Sequence, residues 1–317
     1  MEEKGGENTE FYMNTLKEEL FFIRETFRYG YGWRGVLRYF INKFWNSKLI
    51  YRLKLPEYKL VENVEIHMLC QKKDSDMLAW SLMSFINTSG VCPKVVVHDD
   101  GSFDQNVTDK LEHKFPELKV LSLKKANELI NNMTGLSPKL LEHREHGHKL
   151  IYKLVDIFLL SRSEKIMVLD SDILFFNRPE EILKFINEDA DCDSLISRHD
   201  GTYNLMLPPD YLSKYGIFKN EADYMNSGII LYKKNKIGTD KLSEYFENTL
   251  RKPGDYFVEM AGWGCLIAQT NFKFLTKESY IVKGRPEINT VAKHFTGPRR
   301  HEFYIYGIGM VKSMIKN

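Results

Sequence analysis

The stretch Lys165–Pro179, KIMVLDSDILFFNRP, constrains the fold more than any other part of the chain. Ile166, Met167, Val168 and Leu169 make a short apolar run bounded by polar residues. That is the pattern of a buried strand in the middle of a parallel sheet. Asp170 and Asp172 follow at once. Side chains alternate along an extended chain, so the two carboxylates can point to one side. Carboxylates this close repel each other and are poorly tolerated beside a core. A divalent cation removes the conflict: hard oxygen ligands suit Mg²⁺ or Mn²⁺, which complete their shells with substrate phosphates. Open α/β sheets bind ligands beyond the carboxyl ends of their strands, which is where this pair falls. Taken alone, Asp-x-Asp fits equally a strand end that starts a turn and caps the next helix.

The chain before this stretch alternates strand and helix. Val64–Cys70 reads as a strand. Asp74–Thr88 reads as a helix with Met77, Leu78, Leu82, Phe85 and Ile86 on one face and Gly90 beyond its end. Lys94–His98 is a second strand ending in Asp99 and Asp100, Val107–Phe115 a second helix, and Leu118–Leu123 a third strand. Such alternation implies right-handed crossovers and a mostly parallel sheet flanked by helices. No Gly-x-Gly-x-x-Gly follows the first strand and no Gly-Lys-Ser/Thr occurs, which disfavours dinucleotide and P-loop chemistry. A helix over Lys149–Leu160 offers Lys149 and Lys153, four apart, to an anionic ligand or to water. His143, His146 and His148 read as an exposed turn rather than a zinc site. Beyond Pro179 come a short helix and a strand over Ser194–Ser197. Asp200–Lys219 follows as a long loop, a candidate lid or acceptor-binding segment. A buried strand over Tyr224–Tyr232 opens with Asn226-Ser227-Gly228, and helices over Lys241–Leu250 and Tyr256–Gln269 precede a strand over Phe272–Leu275.

A net charge of +2 over 317 residues leaves no case for nucleic acid as a partner. The cysteines Cys70, Cys92, Cys192 and Cys265 are scattered in apolar surroundings, so buried reduced thiols are expected. Residues 1–10 are polar and acidic, unlike a secretory signal, and are expected to lack structure. No apolar run reaches membrane-spanning length, and a cytoplasmic protein is expected. Phe11–Lys59 interleaves basic and aromatic residues at helical spacing, broken into two helices by Tyr29-Gly30-Tyr31-Gly32. Two readings stay open for this appendage: peripheral contact with an anionic membrane through residues 11–59, or packing on the rest of the chain, which is the favoured one.

The combination of Asp170-x-Asp172, Asn226-Ser227-Gly228, Glu259 and His294-Phe295-Thr296-Gly297-Pro298-Arg299-Arg300 resembles the retaining GT-A glycosyltransferases, the group with glycogenin and the lipopolysaccharide galactosyl- and glucosyltransferases. The resemblance runs from about Val64 to Arg300. It implies a GT-A catalytic domain over 63–317 behind an appendage over 1–62, with a nucleotide-binding half over 63–200 and an acceptor side over 201–317. It also implies transfer of a hexose from a nucleotide-diphosphate sugar, most often a UDP-sugar, to a saccharide, lipid-linked or protein acceptor with retention of configuration. Asp170, Asp172 and His294 become the ligands of Mn²⁺ or Mg²⁺, and the nitrogen ligand favours Mn²⁺. Arg300 stands where the family has a diphosphate-binding lysine, behind Gly297. Glu259-Met260 stands where the family has an Asp-Gln pair near the sugar. Asn226 and Gly228 would approach the sugar or diphosphate, Lys153 the diphosphate, and Asp99 and Asp100 the base or ribose. Asn226, Glu259 and Gln269 are the candidates for a nucleophile. Two alternatives remain: an inverting transferase using Asp255 or Glu259 as base, and a non-catalytic nucleotide-sugar-binding scaffold, against which the intact Asp170, Asp172 and His294 argue.

Overall fold

The computed structural model describes residues 4–187, 190–199, 201, 206–217 and 224–315, with 4–15 described as backbone only. The chain divides into two compact units, Lys54–His294 and Met1–Leu53 with Phe295–Asn317. The sequence reading divided the chain at residue 62 and kept everything beyond it together; here the C-terminal segment groups with the N-terminal helices. Specific contacts explain this. Tyr31 and Tyr306 both donate to Glu302, at 2.8 and 2.9 Å. Asn42 donates to the Tyr304 carbonyl, and the Tyr39 and Tyr304 rings meet edge to face at 5.6 Å.

In this smaller unit, helices Lys4–Arg28 and Gly32–Phe44 form an antiparallel hairpin. Glu19 pairs with Lys43, Phe22 packs on Tyr39, and Phe27 meets Trp33 beside the turn. The turn lies at the expected break. Gly30 and Gly32 have φ of 77° and 57°, a left-handed backbone that a side chain would strain. The expectation of no structure over 1–10 does not hold for Lys4 onward, which is helical, while residues 1–3 lie outside the described residues.

Among the described residues the larger unit carries ten strands: β1 Lys59–Cys70, β2 Val91–Asp99, β3 Leu118–Leu121, β4 Lys165–Leu169, β5 Ile173–Phe175, β6 Ser194–Arg198, β7 Met225–Lys233, β8 Phe272–Phe274, β9 Tyr280–Ile281 and β10 Ala292–His294. Seven form one sheet in the order β3-β2-β1-β4-β7-β6-β8, and β5-β10-β9 form a second. β1 runs parallel to β2 and β4, β2 to β3, and β6 to β8; β7 is antiparallel to both β4 and β6. The chain thus adopts the expected α/β architecture with a mostly parallel sheet. β4 is central, as its apolar run requires, but only one of its neighbours, β1, runs parallel to it; the other, β7, is antiparallel.

Helix Ser75–Ser89 is almost wholly buried and ends at Gly90 as expected. Helices Ile151–Leu160 and Val258–Ala268 bring Phe158 and Trp263 against Tyr232 of β7, with ring centroids 6.2 and 5.5 Å apart. Full burial of each such side chain contributes roughly 1.5–3 kcal/mol, so the strands behind the candidate site rest on a well-packed support. His143 lies on helix Pro138–His146, buried against the Phe246 ring at 5.1 Å, rather than in an exposed turn. Ser137 caps that helix and Pro138 opens it, which carries it through the histidines. Within the expected loop Asp200–Lys219, Pro209–Lys214 is helical. Residues 200, 202–205 and 218–219 of that candidate lid lie outside the described residues. All four cysteines are free and buried, as expected. No helix among the described residues is long and apolar enough to cross a membrane.

Candidate metal centre

β4 ends at Leu169, and the chain turns through Asp170, Ser171 and Asp172 into β5. The backbone N–H of Asp170 donates to the Gly228 carbonyl at 2.9 Å, fixing the turn to the start of β7. β10 lies antiparallel to β5 with His294 opposite Ile173, which lays the imidazole over the turn. The ligand atoms of Asp170, Asp172 and His294 all lie within 4.8 Å of one another. His294 Nε2 is 3.1 Å from Asp172 Oδ1 and 3.5 Å from Asp170 Oδ2.

The other ring nitrogen decides which way His294 acts. Its Nδ1 is 3.0 Å from Asn226 Oδ1. That oxygen also accepts from the Gly228 N–H at 3.0 Å and from the Ser197 hydroxyl at 3.2 Å. A backbone N–H can only donate, so the atom facing it is the amide oxygen, and Nδ1 must donate to it as well. In the neutral ring Nε2 then carries a lone pair aimed at two carboxylates. A cation between them turns three repelling donors into a ligand set, with Asn226 as the outer partner that fixes the ring. The set of two carboxylate oxygens and one imidazole nitrogen suits a first-row divalent ion. Gly228 makes room for it: a Cβ there would lie 2.5 Å from His294 Nδ1 and 2.8 Å from Asn226 Oδ1. This close approach, not backbone conformation, requires the glycine.

Behind the carboxylates sits Lys153, 3% exposed, on helix Ile151–Leu160. Its Nζ is 2.7 Å from Asp170 Oδ1 and 3.2 Å from Glu259 Oε1, and it donates to Ser227 Oγ at 3.1 Å. Ser227 in turn donates to Glu259 Oε2 at 3.1 Å. Burial alone would favour a neutral amine, but Asp170 and Glu259 outweigh it and hold the Lys153 ammonium above its ordinary pKa. Burial pushes the Glu259 carboxyl up, and Lys153 only partly opposes that. One ammonium thus faces two acidic side chains, Asp170 and Glu259, with Asp172 close to Asp170, and the pocket favours added positive charge.

The structure brings Lys153, Asp170, Asp172, Asn226, Gly228, Glu259 and His294 together. Asp99 and Asp100 end β2, and their carboxylates hold the following turn. Asp99 Oδ1 accepts from the N–H groups of Gly101 and Phe103, and Asp100 accepts from Ser102 and from Lys149 at 3.0 Å. Lys149 is therefore engaged with Asp100, not with the Asp170 cluster. Asp255 is committed to Arg251 at 2.8 Å and to the Phe257 N–H. Gln269 follows the helix Val258–Ala268, ten positions and so about 15 Å from Glu259 along the axis. It does not belong with the candidate nucleophiles. Gly297 opens a short 3₁₀ turn and Arg300 starts the next helix, both in the smaller unit. Two residues were not foreseen. Ser197, at the end of β6, bonds Asn226, and Tyr256, whose phenol is raised by burial and then by Asp170, Glu259 and Asp172, stands beside the carboxylates. A serine closing the apolar strand Ser194–Arg198 was the only signal for the first.

No family model and no curated protein matches the chain. Among solved structures it is similar to the galactosyltransferase LgtC in complex with donor and acceptor sugar analogs, at 13% identity over 79% of this chain and 95% of that one, with a TM-score of 0.49. It is also similar to mouse xyloside xylosyltransferase 1, at 10% identity over 74% and 97% with a TM-score of 0.47. The WbbM bifunctional glycosyltransferase is similar at 12% identity over 79% and 51%, with a TM-score of 0.49.

Proposed function

We propose that the chain is a metal-dependent glycosyltransferase that moves a hexose from a nucleotide-diphosphate sugar, a UDP-sugar first among them, to a saccharide or glycoconjugate acceptor with retention. The observation that carries this reading is the His294 ring, held through Nδ1 by Asn226 so that Nε2 meets Asp170 and Asp172. In the proposal Asp170, Asp172 and His294 hold Mn²⁺ or Mg²⁺, which when bound neutralises charge developing on the departing diphosphate. Lys153 keeps Asp170 oriented and balances its charge. Gly297 and Arg300 add a cationic contact to the diphosphate, and Asp99 and Asp100 take the base or ribose through groups their turn leaves available. A cytoplasmic setting is part of the proposal, in keeping with inert thiols such as Cys92, which burial pushes up to about 12.

Retention needs either an enzyme nucleophile or departure and attack on one face. Of the two candidates left, only Glu259 is anionic; its Oε2 accepts from Ser227 and its Oε1 is held only by the ion pair with Lys153. The amide oxygen of Asn226 is likewise engaged. These commitments favour the same-face route, in which the acceptor hydroxyl passes its proton to the leaving diphosphate oxygen. The first test is a hydrolysis screen over nucleotide sugars with Mn²⁺, which requires no acceptor. Hydrolysis of one donor class that EDTA abolishes is the expected result; none with any donor would leave the scaffold reading. Proton NMR of the anomeric centre then reads the linkage, and a β product from an α donor would mean inversion. Glu259→Gln is expected to weaken transfer, and intact mass with donor should show no sugar–enzyme adduct.

A further inference from the structure

The helical hairpin of the smaller unit has an outer face that the transfer chemistry does not use. Helix Gly32–Phe44 exposes Trp33, Leu37, Ile41 and Phe44, with Trp33 75% and Leu37 61% accessible. At 3.6 residues per turn these four fall within about 80° of the helix circumference. Arg34 and Arg38, both exposed, border the row. Helix Lys4–Arg28 repeats the design: Leu16, Leu20 and Phe27 share about 40°, and exposed Lys17, Arg24 and Arg28 lie on the adjoining sector. Phe27 and Trp33 meet edge to face at 4.9 Å and join the two rows at the turn. The opposite faces are spent inside the unit, through Phe22 with Tyr39 and Glu19 with Lys43.

The acids decide what this face fits. Between Leu16 and Leu53 every exposed residue is apolar, basic or Gly30. Glu25 is buried beside Arg24 and Arg28, and Glu19 points inward to Lys43 and Tyr39. A two-fold contact with a second copy would set this basic border against itself. Nucleic acid would meet the arginines but leave rows of leucine, isoleucine and phenylalanine without a partner. We propose that this face docks on an anionic lipid surface, its apolar rows entering the boundary between headgroups and acyl chains and its basic border meeting lipid phosphates.

The test uses the full chain with vesicles of phosphatidylcholine and phosphatidylglycerol at about 3:1, against phosphatidylcholine alone, read by co-sedimentation at low and high salt. Anionic vesicles should pellet the protein, neutral ones far less, and salt should weaken the binding. Arg34→Gln with Arg38→Gln should lower the partition coefficient about fivefold per charge removed. Trp33→Ala with Trp45→Ala, the latter 65% exposed at the helix end beside Phe44, should lower it by roughly tenfold or more. All four side chains are exposed, so melting temperatures should stay put. Quenching of tryptophan fluorescence by brominated lipid gives a second readout on the unaltered chain. Trp80 and Trp263 are fully buried, so quenching reports Trp33 and Trp45. Equal sedimentation with neutral and anionic vesicles, absence of quenching, or unchanged binding by the tryptophan variant would overturn the proposal. So would a dimer that the tryptophan variant dissolves, since that would give the face to a second copy.

Discussion

Glu65, His67 and His98 make one histidine–carboxylate cluster of the larger unit; Asp170, Asp172 and His294 make the other. In the first, Glu65 sits on β1 two residues before His67, and β2 supplies His98. Glu65 Oε2 accepts from the N–H groups of Arg162 and Ser163, at 2.7 and 3.1 Å, and from His67 Nε2 at 3.2 Å. His67 Nδ1 must then accept, so His98 Nε2 donates to it at 2.9 Å. Each link gives the next atom an opposite partner as far as His98, whose buried Nδ1 has no hydrogen-bond partner among the described residues. In the second cluster His294 donates outward to Asn226, and its Nε2 turns inward onto two carboxylates. Residue types therefore do not make a metal site. The direction in which the protons are committed does.

This contrast predicts opposite consequences for similar substitutions. Asp172→Asn should lower transfer by roughly 10³-fold or more, because it removes ligand charge, while the melting temperature holds or rises. Near-normal Mn²⁺-dependent turnover in the folded variant would sink the metal assignment. Gly228→Ala forces the His294 ring away by about an ångström, and a misplacement of that size costs on the order of 10²-fold. Kinetics and a thermal melt together would separate this from unfolding. Asn226→Ala frees the ring to flip and should weaken Mn²⁺ binding about 10- to 100-fold, measured by calorimetry on the protein alone. An unchanged affinity would remove Asn226 from its outer role.

The Glu65 cluster should answer in stability instead. Glu65→Ala leaves the buried His67 ring and two part-buried backbone N–H groups without an acceptor and should cost about 1–3 kcal/mol, with turnover per folded molecule unchanged. Its pH dependence follows from the same bonds. Burial pushes the Glu65 carboxyl up, but its three donors win and hold it at about 2, below the ordinary 4.5. As pH falls from 4.5 toward 2 the unfolded chain binds a proton that the folded one refuses, so stability is lost across that window. Burial lowers His67 and His98 below 6.5, so stability is lost there too, beginning as pH falls through 6.5. Thermal melts from pH 7 to 3 should show both limbs, and His98→Gln should flatten the upper one. A flat profile between pH 7 and 5 would refute neutral buried imidazoles.

Part of the candidate centre was legible because its two carboxylates are neighbours in the chain. Two aspartates one residue apart after an apolar run announce a strand-end site, and Gly228 stands two residues from Asn226. The pairing that seats His294 was not legible. β5 has three residues and β9 two, too short for periodicity to register. The Glu65 cluster left a readable trace: polar residues two apart in a strand whose other face is Val64, Ile66 and Met68. That trace could not say whether the polar face was wet. Glu65 and His67 prove to be buried, because β1 is flanked by β2 and β4 and packed by helices. The C-terminal motif His294–Arg300 reads as continuous, yet the two compact units part between His294 and Phe295.

The seating of His294 on β5 also sets when the site comes into being. Its partner strand β10 is made about 120 residues after Asp172. At ribosomal rates of about 5–20 residues per second, β4 waits on the order of ten seconds or more for that strand to exist. Closing a loop of this length costs roughly 4 kcal/mol of chain entropy before any contact in it is rewarded. The two aspartates thus spend that interval as a pair of like charges with no third ligand, and a product terminated before Ala292 would never gain one. Assembly of the three side chains is in effect a signal that the chain has been read through to β10.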